Sequence, residues 1–347
     1  MSEADYIVVL DTGSTDGTYE ILKEDPRITR VEQKVINPWR FDVARNESLK
    51  LVPEDANILF CTDFDELLQP GWGDLIRQSW TEDTWRGKYK YVWSHTDVGN
   101  DGVTFVYDKM HRPGYYWRFA VHEILALTDD IQGTITSEDG HVINYGDAIV
   151  LHHYPIDIEN RNYLPLLQLR LEENPQEVYS YYLLGREYMM LGFDYFDEAM
   201  NIFTQCLSLP DINTYEVVKF VVFGFMGAIS IDRKQYPEAI YYFNKQLEID
   251  GNHREPYVWL GEVYNRLGYY AIAIYYTNLA LNIVDRHYDW TEQAVVWNEK
   301  PYDVLSVAYY NLGDKQKALE NVLMALQLSP NDKRLQDSYL AVLKEVK

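Results

Sequence analysis

The apolar positions of this chain change rhythm once, near residue 158. Before that point, short apolar runs alternate with helical stretches. Residues 6–10 (Tyr-Ile-Val-Val-Leu) form a β-branched run, the pattern of a strand buried on both faces of a parallel sheet. A turn containing Gly13 and Gly17 follows, then a helical stretch over 19–23. Residues 28–35 supply a second strand, and Pro38 breaks the chain before a helix with Asp42 as its N-cap. Residues 58–61 (Ile-Leu-Phe-Cys) end abruptly in acid, as a buried strand does at its polar boundary. Residues 72–80 read as a helix. Residues 88–95 alternate with period two as a half-buried strand, and 103–110 are its expected partner. The last strand of this half, 149–153, ends in two histidines. The expected class for residues 1–157 is α/β with a mostly parallel sheet.

From 158 to 347 the pattern is helical throughout. Ala199, Ala239, Ala273 and Ala318 are each followed eight residues later by Leu207, Leu247, Leu281 and Leu326. Leu184-Gly185, Leu260-Gly261 and Leu305-Ser306 precede three of them; the second copy lacks such a pair. Small residues where paired helices cross are the tetratricopeptide signature, with a period of about 34 residues. The spacings require insertions, notably around 287–300. Such an array buries its core between neighbouring repeats and leaves a concave face for partners. Most of its Tyr and Trp residues are expected to pack.

Candidate chemistry gathers in the first half. Asp63-Phe64-Asp65 follows the 58–61 strand, and side chains two apart on an extended chain point the same way. Two convergent carboxylates repel each other unless a cation lies between them. Mg²⁺ or Mn²⁺ shared with substrate phosphates is the natural occupant. The plainer alternative is a strand that ends in a solvated acidic turn. Asp11 opens the turn Thr12-Gly13-Ser14-Thr15-Asp16, which matches neither the P-loop nor the dinucleotide fingerprint. It suits hydrogen bonds from a base edge or ribose; alone it is a well-capped turn. Arg45 is expected in the first turn of its helix, where a cation opposes the helix dipole unless it meets an anionic ligand. Otherwise it is a surface arginine paired with Asp42 or Glu47.

Composition narrows the classes. The 347 residues are 47% hydrophobic and 15% aromatic, those of a folded chain large enough for two domains. A formal charge of −23 argues against a nucleic-acid backbone as partner. Cys61 and Cys206 are the only cysteines, which excludes a disulfide framework and points to a reducing compartment. No apolar run reaches membrane-spanning length, and Met1 to Asp5 show no signal-peptide pattern. A cytoplasmic protein is expected.

The motifs Asp11-Thr12-Gly13-Ser14-Thr15-Asp16-Gly17-Thr18, Ala44-Arg45-Asn46 and Asp63-Phe64-Asp65-Glu66, in this order, resemble those of family 2 glycosyltransferases of the GT-A fold, over roughly 5–155. The resemblance implies a GT-A domain in which Asp11, with Gly13 and Ser14, and Arg45 line the nucleotide pocket of a UDP-sugar. Asp63 would meet the ribose, and Asp63 and Asp65 the diphosphate-bound Mn²⁺ or Mg²⁺. Trp117 to Glu123 resembles the family's acceptor wall, which makes Glu123 the candidate base and His122 the runner-up; without the family they are a His-Glu pair at a strand end. A histidine closing the domain completes the metal shell in many such enzymes, and the motif register favours His152 over His153. Family members begin with a further strand and helix; here only Met1 to Asp5 precede the first strand, so that unit is expected to be missing. The union with tetratricopeptide-like helices also resembles the peptide S-glycosyltransferases. The expected function is inverting transfer from a UDP-sugar to an acceptor, with a polypeptide held by the repeats. The alternative is a non-catalytic scaffold with a degenerate nucleotide-sugar domain. The repeats could also serve only to cover the sheet or to make a homo-oligomer.

Overall fold

A computed structural model of the chain describes residues 3–95, 101, 103–127, 141–155, 162–285 and 293–346. It divides into two compact units, Met1–Glu173 and Asn174–Lys347. In chain order the first unit runs β1 (Val8–Asp11), α1 (Thr18–Glu24), β2 (Arg30–Gln33), α2 (Phe41–Leu49), β3 (Leu59–Phe60), β4 (Glu66–Leu68) and α3 (Trp72–Ser79). It continues through β5 (Thr84–Val92), β6 (Thr104–His111), β7 (Tyr115–Arg118), β8 (Ile124–Leu127), β9 (His141–Asn144), β10 (Val150–His153) and α4 (Leu164–Glu173). The division therefore falls after α4 and not at 157/158. Arg170 of α4 donates to the carbonyls of Val121 and His122 in the first unit.

β1 and β2 pair in parallel as a two-stranded sheet, and β1 is half-buried where burial on both faces was expected. The larger sheet has the order β3-β6-β5-β10-β4, with β9 also beside β5. It is mixed, not mostly parallel: β5 runs parallel to β10 and β9 but antiparallel to β6, while β3–β6 and β4–β10 are antiparallel. Apolar runs reveal burial and leave strand direction open; β7 and β8 follow one another without a crossover helix, which leads to antiparallel pairing. Tyr89, Met110 and Leu151, all fully buried, join Ile76, Tyr91, Tyr145 and Ile149 as the core under this sheet.

Helix α2 starts at Phe41 with Arg40 at its N-cap, so Asp42 lies inside the first turn and does not cap it. There its carboxylate receives the Arg40 guanidinium at 2.8 and 3.0 Å. Arg45 consequently lies beyond the first turn, and the dipole no longer bears on its position.

The second unit is built of helical hairpins: α5 (Val178–Met190) with α6 (Phe196–Ser208), α7 (Glu216–Asp232) with α8 (Tyr236–Ile249), and α9 (Arg254–Arg266) with α10 (Tyr270–Asn282). After the short α11 (Ala294–Trp297) come α12 (Lys300–Asn311) with α13 (Lys315–Leu328), then α14 (Lys333–Val346). Ala199, Ala239, Ala273 and Ala318 are fully buried at the crossings. Opposite them the first helix of each hairpin is pared back. A Cβ on Gly227 would stand 2.6 Å from the Phe243 ring; Gly185 faces Phe203 and Gly261 faces Thr277 in the same way. Ser306 instead donates to the Ala318 carbonyl at 3.0 Å. The second copy thus does have its small residue, Gly227, preceded by Met226 where the other copies have leucine. This is a helical repeat of the tetratricopeptide kind, and among the described residues no helix is long and apolar enough to cross a membrane.

Candidate functional site

Three segments distant in sequence meet at the Arg45 guanidinium. From α2 it donates through Nη1 and Nη2 to the two oxygens of Asp63, at 3.1 and 3.0 Å, and through Nε to Oε1 of Glu123. Nη1 also lies 3.1 Å from the Cys61 sulfur, and the guanidinium carbon lies 5.2 Å from the centre of the Trp117 ring. The next residue fixes this reach. Asn46 donates to the Trp117 carbonyl and accepts from its N–H, both at 2.8 Å, so its amide pairs with the backbone of β7 as a neighbouring strand would.

A second cation completes the cluster. Lys109 of β6, 2% exposed, donates to Oε1 of Glu66 at 2.8 Å and approaches Oδ2 of Asp63 at 3.4 Å. Tyr91 donates to the same Glu66 oxygen at 2.9 Å, and Oε2 of Glu66 accepts the Asp63 N–H. Burial alone would push the Asp63 carboxyl up, but Lys109 and Arg45 outweigh it and hold the group at about 2. Burial and Arg45 oppose the charge on Lys109, yet Asp63 and Glu66 more than restore it, so its ammonium stays protonated.

The two carboxylates of the D-x-D therefore do not converge on one point. The strand stops at Phe60, and the Glu66 N–H bonds to the Asp63 carbonyl in a turn, where the alternation of an extended chain no longer applies. Asp63 turns to Arg45 and Lys109, which supply the opposing charge assigned to a metal by the sequence. Asp65 turns the other way, with Oδ2 3.3 Å from Nε2 of His153. His153 donates through Nδ1 to the Trp93 carbonyl at 3.2 Å, which turns Nε2 toward Asp65. The histidine beside the D-x-D is thus His153. His152, one residue earlier on β10, projects from the opposite face and meets His95 and Gln69.

Asp11 is 4% exposed, and its Oδ1 accepts the N–H groups of Gly13 and Ser14 and the Gln33 amide, each at 2.9 Å. Burial would raise its pKa, but these hydrogen bonds prevail and hold it at about 2. Much of its hydrogen-bonding capacity therefore goes into shaping its own turn. His122 and Glu123 part company: Glu123 is buried against Arg45, while the His122 ring lies edge-on to Tyr163, 5.8 Å between centres. The turn that separates them contains two non-glycine residues at positive φ, Phe119 (77°) and His122 (50°). Such conformations cost of order 1–3 kcal/mol and need surrounding support. Arg170 supplies it, with bonds of 3.1 and 2.9 Å to the Val121 and His122 carbonyls and its guanidinium 3.8 Å from the centre of the Phe119 ring.

Sequence reasoning missed Lys109, Asn46 and Arg170. A lysine in the aromatic run Phe105-Val106-Tyr107-Asp108-Lys109-Met110 was the available signal for the first. Asn46 stands in the quoted Ala-Arg-Asn motif, but its role and that of Arg170 rest on backbone groups far away in sequence, which leave no pattern there.

No family model and no curated protein matches the sequence. Among solved structures the chain is similar to TTC0263, a tetratricopeptide protein of Thermus thermophilus, at 20% identity over 52% of this chain and 88% of that one, with a TM-score of 0.37. It is also similar to YrrB, a tetratricopeptide protein with an unusual peptide-binding site, at 18% identity over 50% of this chain and 80% of that one, TM-score 0.37. A third is the first tetratricopeptide domain of human RPAP3, at 20% identity over 37% of this chain and 91% of that one, TM-score 0.32.

Proposed function

We propose that the first unit is a metal-dependent inverting glycosyltransferase that uses a UDP-sugar, and that the repeats hold a polypeptide acceptor or the protein bearing it. The observation that carries this is the junction at Arg45, where the Ala-Arg-Asn, D-x-D and His-Glu segments are joined through Asp63 and Glu123. Asp65 and His153 offer a carboxylate and an imidazole nitrogen, a set that suits Mn²⁺ better than the oxygen-preferring Mg²⁺. A bound ion would supply positive charge to a leaving diphosphate. Around it, Arg45 presents a guanidinium toward developing negative charge, and Lys109 keeps Asp63 ionised for contacts to the ribose. Glu123, oriented by Arg45, takes the proton from the acceptor nucleophile as it attacks the anomeric carbon.

Titration of the chain with UDP and a panel of nucleotide-sugars, with and without Mn²⁺, tests this. UDP affinity should depend on Mn²⁺ and be largely lost in Asp65→Asn. Equal affinity in that variant, or in EDTA, would remove the site. A second reading is favoured by one feature: Arg45, Lys109, Asp63, Glu66 and Glu123 satisfy one another as they stand. Such a cluster can serve purely to hold the fold of a non-catalytic scaffold. Peptide binding by the chain with no UDP released from any donor would favour that reading.

A further inference from the structure

We propose that His95, Asp101 and His152 form a binding site for a divalent transition ion of the zinc class, distinct from the Asp65–His153 pair. Nε2 of His95 and Nδ1 of His152 are 3.1 Å apart, and Oδ1 of Asp101 lies 4.0 Å from the latter. All three ligand atoms fall within 4.8 Å of one another, the one such group of His, Cys, Asp or Glu among the described residues. Zn–N bonds of about 2.0–2.1 Å at the tetrahedral angle place two nitrogens about 3.3 Å apart, so the imidazoles are already at ligand spacing. The carboxylate needs to close in by at most about 1.5 Å, within the reach of a side-chain torsion.

The surroundings are those of a built site. The His152 ring has a second partner, the Gln69 amide, 3.0 Å from Nε2. With Nδ1 on the ion, Nε2 bears the proton and donates to the Gln69 amide oxygen, whose place and the nitrogen's exchange by a simple flip. His95 is held flat on the Tyr154 ring, with centres 4.5 Å apart and planes 2° from parallel. Asp101 offers Oδ1 alone, since Lys90 holds Oδ2 at 3.0 Å. Two imidazoles and one carboxylate select a borderline transition ion over Mg²⁺ or Ca²⁺, and leave a fourth position for water or a small anion. His95 and Asp101 face each other across an isolated antiparallel bridge beyond the end of β5. The ion would pin that bridge to β10. Strand β10 would then present successive histidines to two different ions, one on each face.

The test uses the full chain, stripped of metal and free of nucleotide, titrated with Zn²⁺ against a chromophoric chelator. One Zn²⁺ per chain is expected, with affinity at least 100-fold weaker in His152→Ala and in His95→Ala and about tenfold weaker in Asp101→Asn. Asp65→Asn should bind Zn²⁺ as the wild type does, which separates this site from the proposed catalytic ion. The Co²⁺ form should show the absorption bands of a four-coordinate ion, absent in His152→Ala. Metal-free melting curves check that each variant is folded; His95→Ala, in a partly exposed position, keeps the test decisive should His152→Ala unfold. Failure of the wild type to bind Zn²⁺, or wild-type affinity in His95→Ala, would show that the two rings merely share a proton and would overturn the proposal. Loss of the Zn²⁺ in Asp65→Asn would overturn it equally.

Discussion

The two units reach stability by opposite means. Around Arg45 the first unit gathers charge: Arg45 and Lys109 meet the buried carboxylates of Glu66 and Glu123 and the half-exposed one of Asp63, and each depends on the rest. The second unit buries fewer charges, Glu255 and Asp303 among them. It relies more on shape, as glycines and alanines let neighbouring helices approach within reach of Phe203 and Phe243. Charge networks fail when one partner is removed, because an unpaired ion remains in the interior. Steric contacts fail when an atom is added. The first unit should therefore be sensitive to deletion and to acid, and the second to enlargement.

Lys109→Met should have the largest effect. It leaves Asp63 and Glu66 without their shared ammonium, and breaking a buried pair in this way costs about 3–5 kcal/mol. Amide hydrogen exchange should lose protection across β3, β5 and β6 while α5 to α14 stay unchanged; an unaltered first unit would show that the cluster contributes little.

Acid should separate the units next. His111 is fully buried with its Nε2 unpartnered, against Tyr115 and Trp117. Burial, with a smaller push from Arg86, lowers its pKa to about 4, although its bond to the Arg112 carbonyl opposes the shift. As pH falls below about 6.5 the unfolded chain takes up this proton while the folded one does not, so stability is lost down to about 4. The loss should be about 2 kcal/mol by pH 5 and about 3 by pH 4. Below about 4, Asp63 and Asp11, both held at about 2, extend the decline. Exchange of β6 amides at pH 7 and pH 5 measures this, and His111→Phe should flatten the window above pH 4. A wild-type profile that stays flat there would mean that water reaches the ring.

Gly227→Ala should give the smallest effect and the clearest contrast. The added methyl would stand 2.6 Å from the buried Phe243 ring. Overpacking of this kind costs about 1–3 kcal/mol, while replacing a mid-helix glycine by alanine returns about 1. A net loss of about 1 kcal/mol, confined to α7 and α8, is expected in denaturant melts followed by exchange. A stabilised variant would show that the hairpin opens to accept the methyl.

The same contrast explains what the sequence made legible. The repeats were readable because shape leaves a periodic trace: Ala199, Ala239, Ala273 and Ala318 recur at one crossing. Only the small residue of the second copy, Gly227 after Met226, escaped the expected pattern of leucine followed by glycine or serine. In the first unit the long strands and the helices could be anticipated from the apolar pattern, but the short strands β4, β7, β8 and β9 could not. Arg45 pairs with Asp63 and Glu123 where an anionic ligand, or else Asp42 or Glu47, was expected. Conformation and partner could not be anticipated. The turn at Phe64 and Asp65 sends the two carboxylates apart, and the alternation of β10 sets His153, not His152, beside Asp65. Lys109 becomes part of the site only through the pairing of β6 with β3 and β5. Strand direction, the mixed sheet and the boundary after α4 depend in the same way on contacts far apart in sequence.

Arg170 also orders events in time. Phe119 and His122, at positive φ, leave the ribosome well ahead of α4, and the guanidinium that steadies their turn is still to be made. Until it arrives, the segment that brings Glu123 to Arg45 carries its strain unsupported. The first unit thus fastens its candidate site near the end of its own synthesis, with its last helix as the clasp. A nascent chain stalled ahead of residue 170 would hold Asp11, Arg45, Asp63, Asp65 and Glu123 and still lack the arginine that steadies the turn before Glu123.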